Sequence, residues 1–383
     1  MAKRWPVTAA VGVATASCLV ACLSACASSA ITGPTPTPAA SSVFEHGALV
    51  GVVLPDDVDA RWRQSGAVFS AAMPGVTVRY GDDTAATEQA LASQLMTQGV
   101  RFLVVCPVDP AAAAPLAVQA HAVGATVISY DRMIEDTSDV DYFVGFDPRA
   151  VGAAQAQYLV DQAQGKGNHL YLYAGPDDDP DTLSRFEGAW DVLQPKLADG
   201  TFVVENSSRA VAAQDDASLT NAQLTGIIDQ IGVGQDTVSA QNVAQVDLAQ
   251  ADVTQKGTVY LLAPSDDAAR AVVAVFRADK DVTTIFSTGE GFTQASLQDI
   301  LDGKQSMTIW RPPAVLVDDV AQIVSTTLAG AGRPDVVVTT RANGAAAVPA
   351  TKAPLTIVVK ANAAAVIAAS GVYTLADGKV VPR

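Results

Sequence analysis

Short apolar runs alternate with alanine-rich segments along the chain, from residue 48 almost to the C-terminus. The apolar runs are rich in β-branched and aromatic residues and have the length of strands, whereas the intervening segments have the length of helices. This alternation is typical of βαβ units around parallel sheets, and uninterrupted apolar runs indicate strands covered on both faces. The predicted strands are 48–54, 76–80, 102–106, 126–130, 142–146, 169–174, 202–206, 258–263, 283–287, 306–310 and 355–359.

The segments between these strands supply the predicted crossover helices. Several of them are very rich in alanine, the residue with the highest helix propensity. The polar stretch 209–257 is longer than one crossover requires, and we expect a helix near Asp216–Ile231 followed by an irregular excursion. The other predicted helices are 60–72, 85–98, 111–123, 149–164, 183–197, 266–278, 293–301, 313–329 and 361–370.

Length, charge and composition limit the class of protein. The roughly 340 residues that follow residue 46 exceed what one hydrophobic core comfortably holds, so two α/β lobes are expected. A formal net charge of −16 argues against a nucleic-acid partner, which requires a basic face. Cys106 lies in an apolar run and is expected to be a small buried residue. The sequence has no recognisable metal-ligand spacing or catalytic triad, so neither a metal nor a cofactor is expected.

The N-terminus has the pattern of a lipoprotein signal peptide. Two basic residues precede an uncharged apolar stretch, Val7–Leu23, which leads into the sequence Leu-Ser-Ala-Cys ending at Cys26. We expect a signal peptide over 1–25, lipidation of Cys26, and a flexible tether rich in Pro, Ser and Thr over 26–46. The mature protein would then be anchored to the outer face of the cell membrane. Ordinary secretion without lipidation is the alternative.

Polar side chains follow many of the predicted strands. In open parallel sheets, ligands bind outside the carboxyl ends of the strands, so these residues are candidates for a binding site. They are Asp56, Asp131, Arg132, Asp147, 177–181, 265–267, Glu290 and Arg311.

One segment carries a specific family resemblance. Tyr130–Ile134 reads YDRMI, and Val144–Asp147 with a predicted helix follows it. The segment resembles the xylose-binding proteins of bacterial importers, and the resemblance extends from about Leu49 to Ala369. It implies a type I periplasmic-binding fold, with two Rossmann-like lobes of parallel sheet joined by three crossing strands. The implied N-terminal lobe is 47–145 with 311–349, and the implied C-terminal lobe is 146–310 with 350–383.

The resemblance also implies ligand-binding residues. On the N-terminal lobe, Arg61, Trp62, Asp131 and Arg132 match the family pattern. On the other lobe the chain departs from it, because Pro180-Asp181 replaces an Asn-Asn pair and Ser207 or Ser208 aligns with an aromatic residue. Asp266, Glu290 and Arg311 replace an asparagine, a glutamine and a lysine in turn. The implied contacts on this side are Asp181, Asp266, Glu290 and Arg311.

These residue types suit a pyranose, whose adjacent hydroxyls both donate and accept hydrogen bonds and whose axial face is apolar. Asp131 beside Arg132 can accept from one hydroxyl and donate to the next, and each charge-assisted bond contributes about 1.5–3 kcal/mol. Each assignment has an alternative. Asp131 and Arg132 could form an interlobe salt bridge, Trp62 a core anchor, and Arg61 a solvated helix residue. Two further residues, Asp266 and Glu290, could be surface carboxylates.

The implied function is capture of a monosaccharide, such as xylose or a related sugar, by a monomeric protein that is not an enzyme. The implied partners are an ABC permease and its ATPase. One alternative is a sugar-sensing partner of a membrane receptor. Another is a secreted glycosidase that uses Asp131 and Glu290 as its carboxylate pair.

Overall fold

The computed structural model describes residues 50–177, 179–234 and 237–383. The predicted signal peptide, the lipidation site Cys26 and the tether lie outside the described residues. Among the described residues, no helix combines the length and apolar character that crossing a membrane requires.

A seven-stranded sheet forms the core of the first lobe in the described part of the chain. Its strands follow the order β11-β12-β5-β4-β3-β1-β2 and are parallel except for the antiparallel pair β11 and β12. The strands are β1 (Val50–Leu54), β2 (Thr77–Tyr80), β3 (Phe102–Val105), β4 (Thr126–Tyr130), β5 (Tyr142–Val144), β11 (Thr339–Ala342) and β12 (Ala347–Ala350).

The second lobe is built on a four-stranded parallel sheet with two antiparallel pairs beside it. The sheet has the order β7-β6-β8-β9, and the pairs are β10 with β13 and β14 with β15. These strands are β6 (Asn168–Leu172), β7 (Phe202–Val204), β8 (Gly257–Leu262), β9 (Val282–Ser287), β10 (Met307–Trp310), β13 (Thr356–Val359), β14 (Tyr373–Ala376) and β15 (Lys379–Pro382).

Helices cover both faces of each sheet, as the apolar strands require. In the first lobe, one face packs against α1 and α11 and the other against α2 and α3. In the second lobe, α4, α5 and α7 cover one face and α8 and α9 the other. The helices are α1 (Ala60–Ala72), α2 (Ala85–Thr97), α3 (Ala114–Ala122), α4 (Pro148–Gln162), α5 (Pro180–Ala198), α6 (Ser208–Ala212), α7 (Asn221–Ile231), α8 (Thr237–Gln250), α9 (Asp266–Ala278), α10 (Gln294–Leu301), α11 (Pro313–Leu328) and α12 (Ala363–Ser370).

The chain passes between the lobes three times. The crossings are 145–147 between β5 and α4, 311–312 between β10 and α11, and 351–355 between β12 and β13. The first lobe therefore contains two segments that are distant in sequence, and so does the second. This confirms the expected architecture of two α/β lobes with three crossings.

All eleven predicted strands are present, with ends in the described residues shifted by up to two residues. The predicted irregular excursion after residue 231 is wrong. Most of that segment is the helix α8, whose Ala240, Ala244 and Leu248 are buried against the second sheet. Four strands were missed, namely β11, β12, β14 and β15, and all of them belong to antiparallel pairs. Cys106 is fully buried, and burial raises the pKa of its thiol.

Candidate ligand-binding groove

The turn after β4 places Asp131 and Arg132 between the lobes. Ser129 fixes this turn, because its hydroxyl donates to the carbonyl of Arg132 at 2.6 Å and accepts from the Ile134 amide at 2.8 Å. Asp131 has a left-handed backbone with φ of 63°, and its amide donates to the Val144 carbonyl at 2.7 Å. Non-glycine residues in this conformation are strained and are frequent at binding sites. The turn thus presents the Asp131 carboxylate at the edge of the first lobe.

The first turn of α1 supplies the partner of that carboxylate. Asp59 caps the helix by accepting from the Arg61 amide at 2.8 Å. The Arg61 guanidinium forms an ion pair with Asp131, whose side chain is almost completely buried. Trp62 belongs to the core of the first lobe. The guanidinium groups of Arg61 and Arg132 lie 4.8 Å and 5.3 Å from its ring centroid, at cation–π distances.

A second charged cluster comes from the other lobe and from a crossing. Glu290 follows β9, and Arg311 follows β10 in the second crossing. The Arg311 Nε atom lies 2.6 Å from Glu290 Oε1, and Arg185 on α5 approaches Glu290 Oε2 at 3.1 Å. The Arg311 guanidinium also lies 5.9 Å from the ring centroid of Phe146, which belongs to the first crossing. One carboxylate is therefore shared by two arginines at the junction of the lobes.

The two clusters interact electrostatically across the space between the lobes. Burial acts to raise the pKa of Asp131, but Arg61, Arg311 and Arg132 outweigh it and hold this pKa below its ordinary value. Burial likewise acts to raise the pKa of Glu290, and Arg311, Arg185 and Arg61 reverse the effect. Because each carboxylate responds to arginines of the other cluster, the six side chains face one shared region. We call this region, defined by Arg61, Asp131, Arg132, Arg185, Glu290 and Arg311, the interlobe groove.

The electrostatics of the groove argue against the glycosidase alternative. A glycosidase general acid needs a raised pKa so that it keeps its proton near neutral pH. Both Asp131 and Glu290 have lowered pKa values and engage arginine side chains.

Some polar atoms in the groove have no hydrogen-bond partner within the described protein. They include Asp131 Oδ1 and Arg185 Nε, each shielded from solvent. A buried polar atom without a partner costs about 1–3 kcal/mol. Asp131 Oδ1 therefore has unused capacity to accept a hydrogen bond, and Arg185 Nε has unused capacity to donate one.

Two of the predicted ligand contacts lie elsewhere. The carboxylate of Asp266 is buried behind the strand ends, where Oδ1 accepts from Gln305 at 2.9 Å and Oδ2 from the Thr293 amide at 3.1 Å. Burial raises its pKa, against the hydrogen bonds it accepts. Asp181 forms an ion pair with Arg341 of β11, which connects the second lobe to the first beside the groove.

Of the two serines that align with the aromatic residue of the xylose-binding proteins, Ser207 is a helix-capping residue. Ser207 is buried, accepts from the Ala210 amide at 3.1 Å and donates to the Gln230 side chain at 2.8 Å. It stabilises the start of α6 and does not offer an apolar surface.

Cavities adjoin the groove on two sides. One of about 270 Å³ lies beside Arg61 and Arg311 and is also lined by Gln64, Trp310 and Tyr373. A second, of about 20 Å³, lies in the other lobe and is lined by residues that include Gln155, Thr182 and Arg185. The first is larger than one water molecule needs, and the second accommodates about one.

Sequence reasoning brought together Arg61, Trp62, Asp131, Arg132, Glu290 and Arg311, which the structure places within one region. It missed Arg185 and Arg341. Arg185 lies in the second turn of α5 rather than at a strand end, so the strand-end rule could not select it. The available signal was charge, because Glu290 lies beyond the carboxyl end of β9, and a carboxylate that is buried there requires a cationic partner.

Two α/β lobes with three crossings and a charged groove between them are the architecture of a solute-binding protein. The model of the periplasmic binding protein domain family matches residues 50–332. The chain belongs to this family and has the type I periplasmic-binding fold.

The relatives are solute-binding proteins. The chain is 32% identical to the multiple sugar-binding periplasmic receptor ChvE of Rhizobium radiobacter over 42% of this chain and 48% of the relative. It therefore aligns with about half the length of that receptor. It is 27% identical to the D-xylose-binding periplasmic protein of Haemophilus influenzae over 74% of this chain and 78% of the relative.

Solved structures have the same architecture. A carbohydrate transporter solute-binding protein from Chloroflexus aurantiacus, in complex with D-glucose, is 44% identical with a TM-score of 0.73, covering 84% of this chain and 95% of its own. An ABC transporter solute-binding protein from Clostridium phytofermentans with bound β-D-glucose is 25% identical with a TM-score of 0.67, covering 85% and 98%.

Proposed function

We propose that this protein is an extracytoplasmic solute-binding protein that captures a monosaccharide in the interlobe groove and delivers it to an ABC permease and its ATPase. One observation carries the proposal. Asp131 with Arg61 from one lobe, and Glu290 with Arg311 from the other lobe and a crossing, converge on one region. Paired carboxylates and guanidinium groups provide the acceptors and donors that vicinal hydroxyls require.

The relatives support a sugar as the ligand. Two structures of the same fold contain glucose, and curated relatives are named for xylose or for several sugars. The groove of this chain differs from the pattern of the xylose-binding proteins on the second lobe, where Glu290 and Arg311 interact with Arg185. The proposal is therefore a monosaccharide and not xylose in particular.

Closure of the lobes is the proposed signal to the importer. A ligand favours the closed form only through contacts that it makes better in that form. Donors and acceptors come from both lobes, so a sugar held by Asp131 and Glu290 together would favour closure. The permease would then recognise the closed pair of lobes.

The proposal includes anchoring by a lipid on Cys26, because an apolar stretch leads into the lipidation pattern Leu-Ser-Ala-Cys that ends at this residue. Cleavage after residue 25 and acylation of Cys26 would leave 26–46 as the tether. A Cys26→Ala variant should then be recovered from the medium or the soluble fraction, whereas the parent protein stays with the membrane fraction. If the parent protein and Cys26→Ala associate equally with the membrane, Cys26 does not carry a lipid anchor. The proposal of sugar binding would stand.

Thermal unfolding in the presence of single sugars tests ligand capture. A panel of pentoses, hexoses and small polyols should contain at least one compound that raises Tm. A ligand at a hundred times its Kd adds about 2.7 kcal/mol to the free energy of unfolding. Arg132→Ala should abolish the shift without unfolding the ligand-free protein.

Arg209 provides a control cation, because its side chain is exposed and pairs with Asp229 of α7 at 3.8 Å rather than with a carboxylate of the groove. Arg209→Ala should keep the full shift. If no sugar changes Tm, or if Arg132→Ala keeps the shift, the proposed site is wrong.

A further inference from the structure

The interlobe groove contains more positive than negative charge. Four guanidinium groups surround two carboxylates, which leaves two positive charges without a carboxylate counterpart. This local excess lies in a chain whose net charge is −16. The excess cannot be attributed to the overall composition and belongs to the groove itself. The six groups are Arg61, Arg132, Arg185, Arg311, Asp131 and Glu290.

The excess is concentrated on Arg132 and Arg185. Arg61 has Asp131 as its partner, and Arg311 has the shorter of the two contacts to Glu290. Arg185 shares that same carboxylate and has a buried Nε without a hydrogen-bond partner in the described protein.

Arg132 has no carboxylate within 4 Å among the described residues. Its guanidinium donates only a long bond of 3.4 Å to the Pro107 carbonyl and lies over the ring of Trp62. Glu88 is near enough to interact electrostatically with Arg132, but burial raises the pKa of Glu88 to about 7, so at neutral pH it carries only part of a charge.

The pKa of Arg311 reflects its surroundings in the groove. Burial and the neighbouring Arg61 lower its pKa, and the attraction of Glu290 and Asp131 does not offset them. Burial also acts to lower the pKa of Arg61, but Asp131 outweighs it and raises this pKa, so the unmatched positive charge lies with Arg132 and Arg185 rather than with Arg61. A neutral sugar can occupy the donors but cannot cancel the charge, whereas a carboxylate does both through charge-assisted hydrogen bonds.

We infer that the groove takes a monosaccharide that carries a carboxylate, such as a hexuronate, with this carboxylate bound by Arg132 or Arg185 and the ring hydroxyls bound by the paired groups. The inference rests on the proposed function and specifies its ligand class. Asp131 and Glu290 remain the acceptors for hydroxyls, as they would for a neutral sugar.

Isothermal titration calorimetry on the purified protein, with three hexose ligands of matched shape, tests the inference. D-glucuronate differs from D-glucose only at C6, where a carboxylate replaces the hydroxymethyl group, and D-glucuronamide keeps that shape without the charge. We expect D-glucuronate to bind at least about tenfold more tightly than either neutral compound. Raising the ionic strength should reduce the difference in affinity between D-glucuronate and the neutral compounds. The reduction should be modest, because a buried ion pair is screened less than an exposed one.

Single variants then locate the carboxylate. Arg132→Gln or Arg185→Gln should remove the preference for D-glucuronate over D-glucuronamide, and Arg209→Gln should leave that preference unchanged. If Arg185→Gln does not fold, Arg185→Lys keeps the charge and tests the same position with a point donor.

The outcomes separate this inference from the proposed function. If D-glucose binds as tightly as D-glucuronate or more tightly, the groove selects neutral sugars and the inference fails while sugar capture stands. The same result with D-galactose and D-galacturonate would show that the groove also selects the neutral sugar of the C4 epimer. If the folded protein binds no sugar of either kind, the proposed function itself fails.

Discussion

At the scale of single residues, burial and pairing decide what the charged groups of this protein do. Asp131 and Asp266 are both buried aspartates at strand ends, yet arginines lower the pKa of Asp131, whereas burial without a cationic partner raises that of Asp266. The sequence places both in the same kind of position. It predicts both as ligand contacts, and it cannot show that Arg61 pairs with Asp131 while Gln305 and Thr293 bind the Asp266 carboxylate.

Glu88 should make the stability of the protein depend on pH. It is buried, accepts from the Val108 amide at 2.8 Å, and has a pKa raised to about 7 by burial. The folded protein therefore retains this proton at pH values where the unfolded chain has lost it. Stability should fall as pH rises from about 4.5 to 7, and the full cost, on the order of 3 kcal/mol, should apply above pH 7.

Urea unfolding of the parent and of Glu88→Gln at pH 5 and pH 8 measures this effect. The decrease in the free energy of unfolding between the two pH values should be smaller in Glu88→Gln, because the amide does not titrate. Replacement of the exposed Asp267 by Asn is the control and should leave the decrease as it is in the parent. An identical pH dependence in the parent and in Glu88→Gln would exclude Glu88 as its source.

At the scale of elements, the parallel strands and their crossover helices follow from the sequence, because buried parallel strands are apolar throughout and stand out from helices of mixed polarity. The four missed strands have weaker patterns. β11 is largely exposed, and β14 and β15 form a hairpin with exposed residues in each strand. The helix α8 was missed because it is polar over most of its surface and buries little more than a row of small residues and Leu248.

The contact between α4 and α5 depends on two glycines. A Cβ atom at Gly188 would lie 1.9 Å from the Arg149 carbonyl oxygen, and one at Gly152 would lie 1.8 Å from the Arg185 carbonyl oxygen. Both clashes involve backbone, so the helices would have to separate. Since α5 carries Arg185, the position of that guanidinium in the groove depends on this close approach.

Gly188→Ala should therefore destabilise the protein by about 1–3 kcal/mol, the usual cost of overpacking, and weaken ligand binding as well. Gly226→Ala in α7 is the matched control, because the atoms nearest to the added methyl all belong to the flexible, half-exposed side chain of Arg209 and none to backbone. That change should be neutral or stabilising, as alanine favours helix by up to about 1 kcal/mol. Chemical unfolding and calorimetry on both variants check this, and equal stabilities would mean that α4 and α5 can separate without cost.

At the scale of the whole molecule, two lobes could be expected from chain length and strand alternation, and the family resemblance supplied the three crossings. Contacts between the lobes could not be predicted, since they join residues far apart in sequence. The pair of Asp181 with Arg341 is an example, because it connects α5 of the second lobe to β11 of the first. Arg341 lies in a strand that the sequence pattern did not reveal, so Asp181 had no visible partner.

A charge exchange distinguishes the two roles considered for Asp181. As an interlobe contact, Asp181→Arg would place two cations together, oppose closure and weaken ligand affinity several-fold. The double variant Asp181→Arg with Arg341→Asp should recover the loss. Partly exposed ion pairs contribute about 0–1 kcal/mol, so affinity should be measured by calorimetry at low ionic strength. If the double variant binds as weakly as Asp181→Arg alone, Asp181 acts on the ligand directly.

The three crossings also constrain how the molecule reaches its native state. The core of the first lobe requires α11 and β12, and β10 of the second lobe pairs with β13, so both lobes depend on the stretch 313–359. Neither lobe can be completed while this stretch is still being synthesised or exported. A fragment ending near residue 310 would expose the face of the first sheet that α11 covers, which makes such a fragment prone to aggregate. The two lobes are thus expected to complete their hydrophobic cores together, late in biogenesis, rather than one after the other.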